Sequence, residues 1–317
     1  MGVDRSEPKN PSLALPMPST ASLTLSPLHV WLLAARPRTL PAAVAPVAVG
    51  SALAFAAGQF RFAPTVAALI GALLLQIGVN IANDYFDFRA GIDTPDRLGP
   101  LRVTQSGLLA PESVRRGMIA TFCLAGVVCL YLIAVAGWPV MLIGVFAILS
   151  ALGYSGGPYP LASHGLADFF VFLFFGLVAV GGTFYVQALE LNARVFWAAT
   201  PVGLLITAIL VVNNLRDIAT DGRSGKQTLA VRLGPQGARL EYALLLAAAY
   251  AVPAAGWLAG EIPFWGLLCF LSFPRALRLI RRIASAHGAA LNPVLGATDN
   301  LALGFSLLLA LGLILPA

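Results

Sequence analysis

PTVAALIGALLLQIGVNIANDYFDFRAGID, residues 64–93, decides the fold. Its first nineteen residues, Pro64–Ala82, carry no charge, and its last eleven carry Asp84, Asp87, Asp93 and Arg89. A helix needs roughly 20 predominantly apolar residues to cross about 30 Å of hydrocarbon. The stretch therefore reads as a membrane-crossing helix that delivers carboxylates to one interface. Apolar and polar residues do not alternate along it, which excludes a barrel strand.

The same pattern extends in both directions. Gly117–Ala136, Trp138–Leu152, Asp168–Leu189, Val195–Val212, Tyr242–Leu258 and Leu301–Leu315 hold few or no charges. Over the 317 residues 58% are hydrophobic and 11% charged, where a soluble domain carries about a quarter charged residues. The reading is an all-α membrane protein with nine spans, centred near residues 48, 74, 125, 146, 178, 204, 250, 269 and 308, while the short fourth span and the Gly260–Pro263 boundary leave eight or ten open. Residues 1–27, rich in Pro and Ser and without periodicity, read as a disordered cytoplasmic tail before a membrane domain over 28–317. They lack the basic start, apolar stretch and cleavage site of a signal peptide. Cys123, Cys129 and Cys269 lie inside apolar spans with no CxxC spacing, as small core residues do.

A formal charge of +6 is compatible with nucleic acid, but its placement excludes that partner. With nine spans, eighteen of the twenty Lys and Arg residues fall on one side, and only Arg61 and Arg194 fall on the other. Basic residues stay cytoplasmic, so the N-terminus is expected inside and the C-terminus outside. Arg36-Pro37-Arg38 reads as an interfacial anchor ahead of span one.

Two acidic clusters carry the chemistry. NDYFDFRAGID (83–93) closes span two and NNLRDIATD (213–221) closes span six. Asn83 and Asp87 share a helix face, Gly91 allows a break that folds Asp93 back, and Asn213, Asp217 and Asp221 repeat at i, i+4, i+8. The clusters lie four spans apart, so both emerge on the same side, as a parallel internal repeat would place them. Carboxylate and amide oxygens without His or Cys suit hard cations, and magnesium binds through one or two carboxylates plus substrate phosphate. Carboxylates at the hydrocarbon boundary are costly unless paired or metal-bound. Arg97 and Arg102 follow the first cluster, and Arg223 and Lys226 follow the second. Carboxylates that repel a diphosphate and cations that attract it belong together if a metal bridges them. Tyr154, in the Tyr154–Pro160 loop, faces the same side and reads either as part of a Gly/Pro turn or as a group contacting substrate or cation. Asp168 reads as a loop residue or a partner of the site. His29, His164 and His287 share no spacing and read as solvated residues.

The two clusters resemble the aspartate-rich motifs of the UbiA-type intramembrane prenyltransferase superfamily. Within it, RPRTLPAAVAPVAVG (36–50), GIDTPDRLGPLRVTQSG (91–107) and RDIATDGRSGKQTLAVRLG (216–234) are similar to the 1,4-dihydroxy-2-naphthoate polyprenyltransferases of menaquinone and phylloquinone synthesis. The six-residue step from Asp87 to Asp93 resembles that branch rather than the hydroxybenzoate branch. The likeness covers roughly residues 29–315.

The resemblance implies nine helices around a central cavity open to lipid, as two four-helix pseudo-repeats plus a ninth helix. It implies two magnesium ions, one on Asn83, Asp87 and Asp93, the other on Asp217, Asp221 and either Asn213 or Asn214. Asp87 and Asp217 are the catalytic candidates, and Arg97, Arg102, Lys226 and Tyr154 the diphosphate-binding ones. Asp84, off the shared face, matches no required family position. The implied activity is transfer of a polyprenyl group from an allylic diphosphate to an aromatic acceptor, the partners being those two substrates and the bilayer. Other acceptors, such as 4-hydroxybenzoate or homogentisate, are the runner-up. A secondary transporter would place its charges near the midplane on broken helices rather than at helix ends.

Overall fold

The computed structural model describes residues 25–92 and 98–316. Residues 1–24 of the expected tail, and the expected site residues Asp93 and Arg97, lie outside the described residues. The described residues form helices α1 (Pro27–Ala35), α2 (Pro41–Ala56), α3 (Phe62–Arg89), α4 (Pro111–Ala136) and α5 (Trp138–Ser155). These are followed by α6 (Ala167–Val171), which runs through a π-helical stretch, Phe172–Val178, into α7 (Ala179–Ala188). The rest are α8 (Ala193–Arg223), α9 (Leu229–Leu258), α10 (Phe273–Ser285) and α11 (Asn292–Ile314). No strand occurs among them.

Among the described residues seven helical segments are long and apolar enough to cross a membrane, or eight if the pair Pro27–Thr39 and Pro41–Ala56, bent by 52°, forms one span. The bend falls where Arg36 adopts φ 52° and two prolines, Pro37 and Pro41, withhold backbone donors. The ninth expected span, near residue 269, is helical but different in kind. It is a 3₁₀ stretch, Phe264–Ser272, running into α10, whose Arg275, Arg278, Arg281 and Arg282 deny it the uninterrupted apolar length. Periodicity over the apolar half alone does not reveal that.

Exposure follows the membrane reading. Leu124, Val127 and Leu130 on α4, with Phe146 and Leu149 on α5, face outward as lipid would allow. The interior is centred on α8, packed along α9, the π stretch and α11, with Leu205, Phe184, Tyr242 and Phe305 fully enclosed. Small residues permit close approach: a Cβ on Gly176 would stand 2.8 Å from the Gly203 Cα. Such small-residue contacts let membrane helices pack without a hydrophobic driving force between them.

Both motif helices end alike. Gly91 (φ 67°) closes α3 with Ile92 N–H donating to the Asp87 carbonyl at 3.0 Å. Gly225 (φ 82°) follows α8 with Lys226 N–H donating to the Asp221 carbonyl at 3.0 Å. Each is a six-to-one C-cap bond that reverses the chain, and only glycine adopts this φ without strain. The break expected at Gly91 is therefore present, and its counterpart sits at the same place in the second cluster.

Candidate functional site

Between α2, α3, α4, α5, the π stretch and α8 lies a cavity of about 390 Å³. One face of α3 lines it from Ala68 through Ala72, Gln76 and Asn80 to Asn83. Those fifteen residue steps span roughly 22 Å of helix. The wall is apolar, with Leu132, Val140, Phe174 and Val186 far from the clusters, while Asn83, Tyr154 and Asn213 edge it at the cluster end. Of the two asparagines left open by spacing, Asn213 lines the cavity, whereas Asn214 is buried and does not.

The two clusters meet. Arg102 Nη2 donates to Asp87 Oδ2 at 2.8 Å, and Lys226 Nζ, from beyond the second cluster, stands 3.7 Å from Asp87 Oδ1. The backbone of Gln227 donates to the Ser163 carbonyl at 2.9 Å and Arg232 donates to the His164 carbonyl at 2.9 Å. These bonds pin the loop carrying Lys226 onto the loop after α5. His164 is not a freely solvated residue: its ring stacks on Tyr159 at 3.6 Å between centroids. Gly156 in that loop seats against Phe86 of the first cluster, where a Cβ would meet the ring at 2.8 Å. Ser155 donates to Asn83 Oδ1 at 2.7 Å. Tyr154 lies within electrostatic reach of Asp87, Asp221 and Asp168.

On the α8 side Asp217 is held by a residue that the sequence reading passed over. Arg216, 2% exposed, donates through Nε and Nη2 to the two Asp217 oxygens at 2.8 and 2.6 Å. It also donates to Asn213 Oδ1 at 2.9 Å and to Asn292 Oδ1 at 3.0 Å. Asn292 in turn donates to the Leu98 carbonyl at 3.0 Å, tying the start of α11 to the loop after the first cluster. Asp84, which the sequence reading set aside as off the shared face, is buried, with both oxygens accepting backbone N–H groups. A cation next to a motif aspartate and a second aspartate inside the motif were the signals available. Arg216 also has partners inside its own motif, but its bond to Asn292 and the bonds of Asp84 to Val103 and Thr104 join segments far apart in the chain and leave no local pattern.

Asp168 is buried in the first turn of α6, so it is no loop residue, and neither carboxylate oxygen has a hydrogen-bond partner among the described residues. Asp221 is half-buried at the end of α8. Among the described residues no three His, Cys, Asp or Glu side chains converge. What the site offers is a set of hard oxygens from Asn83, Asp87, Asn213, Asp217 and Asp221. Asp87 and Asp217 are each already faced by a side-chain cation. That donor set fits a magnesium ion, which takes few protein carboxylates and completes its shell with phosphate and water.

A helical membrane bundle with an apolar cavity capped by paired acidic and basic clusters defines a class of intramembrane enzymes acting on anionic, lipid-tailed substrates. Residues 43–297 match the model of the UbiA prenyltransferase family, and the chain belongs to that family. It is 40% identical over 301 residues to the 1,4-dihydroxy-2-naphthoate octaprenyltransferase of Escherichia coli, covering 92% of this chain and 97% of that one. It is 39% identical over 281 residues to the enzyme of the same name from Mycobacterium tuberculosis, covering 88% and 95%. In fold it is similar to a UbiA homolog from Archaeoglobus fulgidus solved with DMAPP and Mg2+, at a TM-score of 0.65 and 17% identity over 90% of this chain and 98% of that one.

Proposed function

We propose that this chain transfers a polyprenyl group from an allylic polyprenyl diphosphate to 1,4-dihydroxy-2-naphthoate, a step of menaquinone or phylloquinone synthesis. The carrying observation is that the apolar cavity is edged by Asn83 and Asn213, one turn before Asp87 and Asp217, and that Lys226 from beyond the second cluster reaches Asp87 of the first. A prenyl tail fits the wall, and a diphosphate fits the mouth. The relatives from E. coli and M. tuberculosis, named for this acceptor and matched over nearly their full length, support the choice of ring.

In the reaction the allylic C–O bond breaks and the diphosphate leaves with the electron pair. A ring carbon of the naphthoate then bonds to the allyl cation, and the carboxylate leaves as carbon dioxide, its C–C electron pair restoring the aromatic ring with no net loss of a proton. Arg102 and Lys226 contact the leaving diphosphate and offset its charge as it develops. Asn83, Asp87, Asn213, Asp217 and Asp221 would hold two magnesium ions, with Asp93 completing the first set as the resemblance implies. Bound there, magnesium neutralises the diphosphate oxygens as a Lewis acid. Tyr154 faces the reacting end, and the apolar wall keeps water from the allyl cation. Arg97, following the first cluster, is a further cation for the diphosphate. The domain spans 28–317, with its N-terminus and active site on the cytoplasmic side.

Membranes carrying the protein, supplied with one polyprenyl diphosphate and a panel of labelled aromatic acids, test the assignment. Prenylation is expected to be fastest with 1,4-dihydroxy-2-naphthoate. A clear preference for 4-hydroxybenzoate would overturn the acceptor.

A further inference from the structure

The chain segment after the first cluster is gripped by α3 twice. Asp87 accepts from the side chain of Arg102. Asp84, almost one turn earlier on the same helix, accepts from the backbone of the next two residues. Val103 N–H donates to Asp84 Oδ2 at 3.0 Å, and Thr104 N–H donates to Oδ1 at 3.0 Å. Asp84 is 1% exposed, and Val103 and Thr104 are as deeply buried.

The segment that begins at Arg102 is a tight turn. Ser106 N–H donates to the Arg102 carbonyl at 3.0 Å, Gly107 N–H to that of Thr104 at 3.1 Å and Leu109 N–H to that of Val103 at 3.1 Å. Gly107 takes φ 73°, where a side chain would be strained. The leading N–H groups of such a turn find no acceptor within it and need one from outside, as at a helix N-terminus. A single carboxylate supplies both, through a charge-assisted pair of bonds. Asp84 thereby fixes the backbone immediately after Arg102, and that anchor sets the direction from which the Arg102 side chain reaches back to α3.

We propose that Asp84 is a positioning residue for the diphosphate site: it holds the 102–107 turn so that the Arg102 guanidinium stands over Asp87 and the cavity mouth. The proposal rests on the reading of Arg102 as a diphosphate contact. It departs from the sequence expectation, in which Asp84 had no part in the site.

The full-length protein in detergent or nanodiscs tests it, with Asp84→Asn, Arg102→Ala and the double variant assayed against both substrates. Asp84→Asn keeps one acceptor and turns an amide N–H toward a backbone N–H. Losing a charge-assisted bond of this kind should raise the KM for the polyprenyl diphosphate about tenfold or more, with the KM for the naphthoate nearly unchanged. In the Arg102→Ala background the same substitution should add less than about twofold, since the two residues act as a unit. Hydrogen exchange of the 101–109 backbone should accelerate in Asp84→Asn without any substrate present. If Asp84→Asn does not accumulate, Asp84→Glu, which keeps the charge but displaces it by one methylene, carries the same cycle. Equal, multiplying losses in both backgrounds, or loosened exchange with the diphosphate KM unmoved, would overturn the proposal. An Arg102→Ala enzyme with an unchanged diphosphate KM would overturn the Arg102 reading and the proposal together, while leaving prenyl transfer itself standing.

Discussion

Gly203→Ala places a methyl group where the contact between α8 and the π stretch has no room for it. A Cβ at Gly203 would stand 2.9 Å from the Gly176 Cα, from the Phe172 carbonyl oxygen and from Phe172 Cδ2. Ordinary van der Waals contact begins near 3.4 Å, so the shortfall is half an ångström. Two of the three atoms are backbone, and no rotamer change relieves them. Either α8 or the π stretch must shift, and overpacking of this kind costs typically 1–3 kcal/mol. At about 2–4 °C per kcal/mol, as for chains of 150–250 residues, the melting temperature of the solubilised protein should fall by several degrees. Gly126→Ala is the matched control, because nothing lies within 4 Å of its added Cβ. Removing that helical glycine should be worth roughly 0.5–1 kcal/mol in the opposite direction. The measurement is a thermal unfolding curve of each variant in one detergent. A Gly203→Ala protein that melts with or above the wild type would refute the close-packing argument.

Two further outcomes follow from the site and the charge pattern. Arg216→Leu should destabilise the protein by about 3–5 kcal/mol, because it strands the buried Asp217 carboxylate. Adding Asp217→Asn should recover much of that loss in the same melts, and an Arg216→Leu protein as stable as the wild type would contradict the pairing. A reporter fused after Ala317 should read as external and one inserted at Gly222 as cytoplasmic. Both on one side would refute the nine-span topology.

What the sequence made legible was whatever depends on local composition. The uncharged run Pro64–Ala82 became α3, and Asn83 and Asn213, one from each motif, edge the same cavity, with Asp87 and Asp217 one turn further along their helices. Glycine chemistry was readable too: Gly91 ends α3 in a reversed turn. Spacing did not distinguish Asn213 from Asn214, which are neighbours on α8; in the fold Asn213 lines the cavity and Asn214 is buried away from it. Arg216 was passed over and Asp84 set aside for a related reason. The far partner of Arg216, Asn292, and the Val103–Thr104 backbone that Asp84 holds are 76 and about 20 residues away in the chain. The π-helical stretch has the same apolar composition as an α-helix, and so gave no signal of its own.

The central claim is that the two clusters form one metal-dependent site, and turnover by Asp87→Ala, Asp217→Ala and the double variant tests it most directly. Each single substitution removes an oxygen ligand from the diphosphate clamp. Each should cost several kcal/mol of transition-state stabilisation, roughly a thousandfold in rate or more. The double variant should be little slower than either single, since residues that act as a unit are non-additive. Chelation should stop the wild-type enzyme and added magnesium should restore it. Losses that multiply in the double variant, or turnover that survives chelation, would contradict the account.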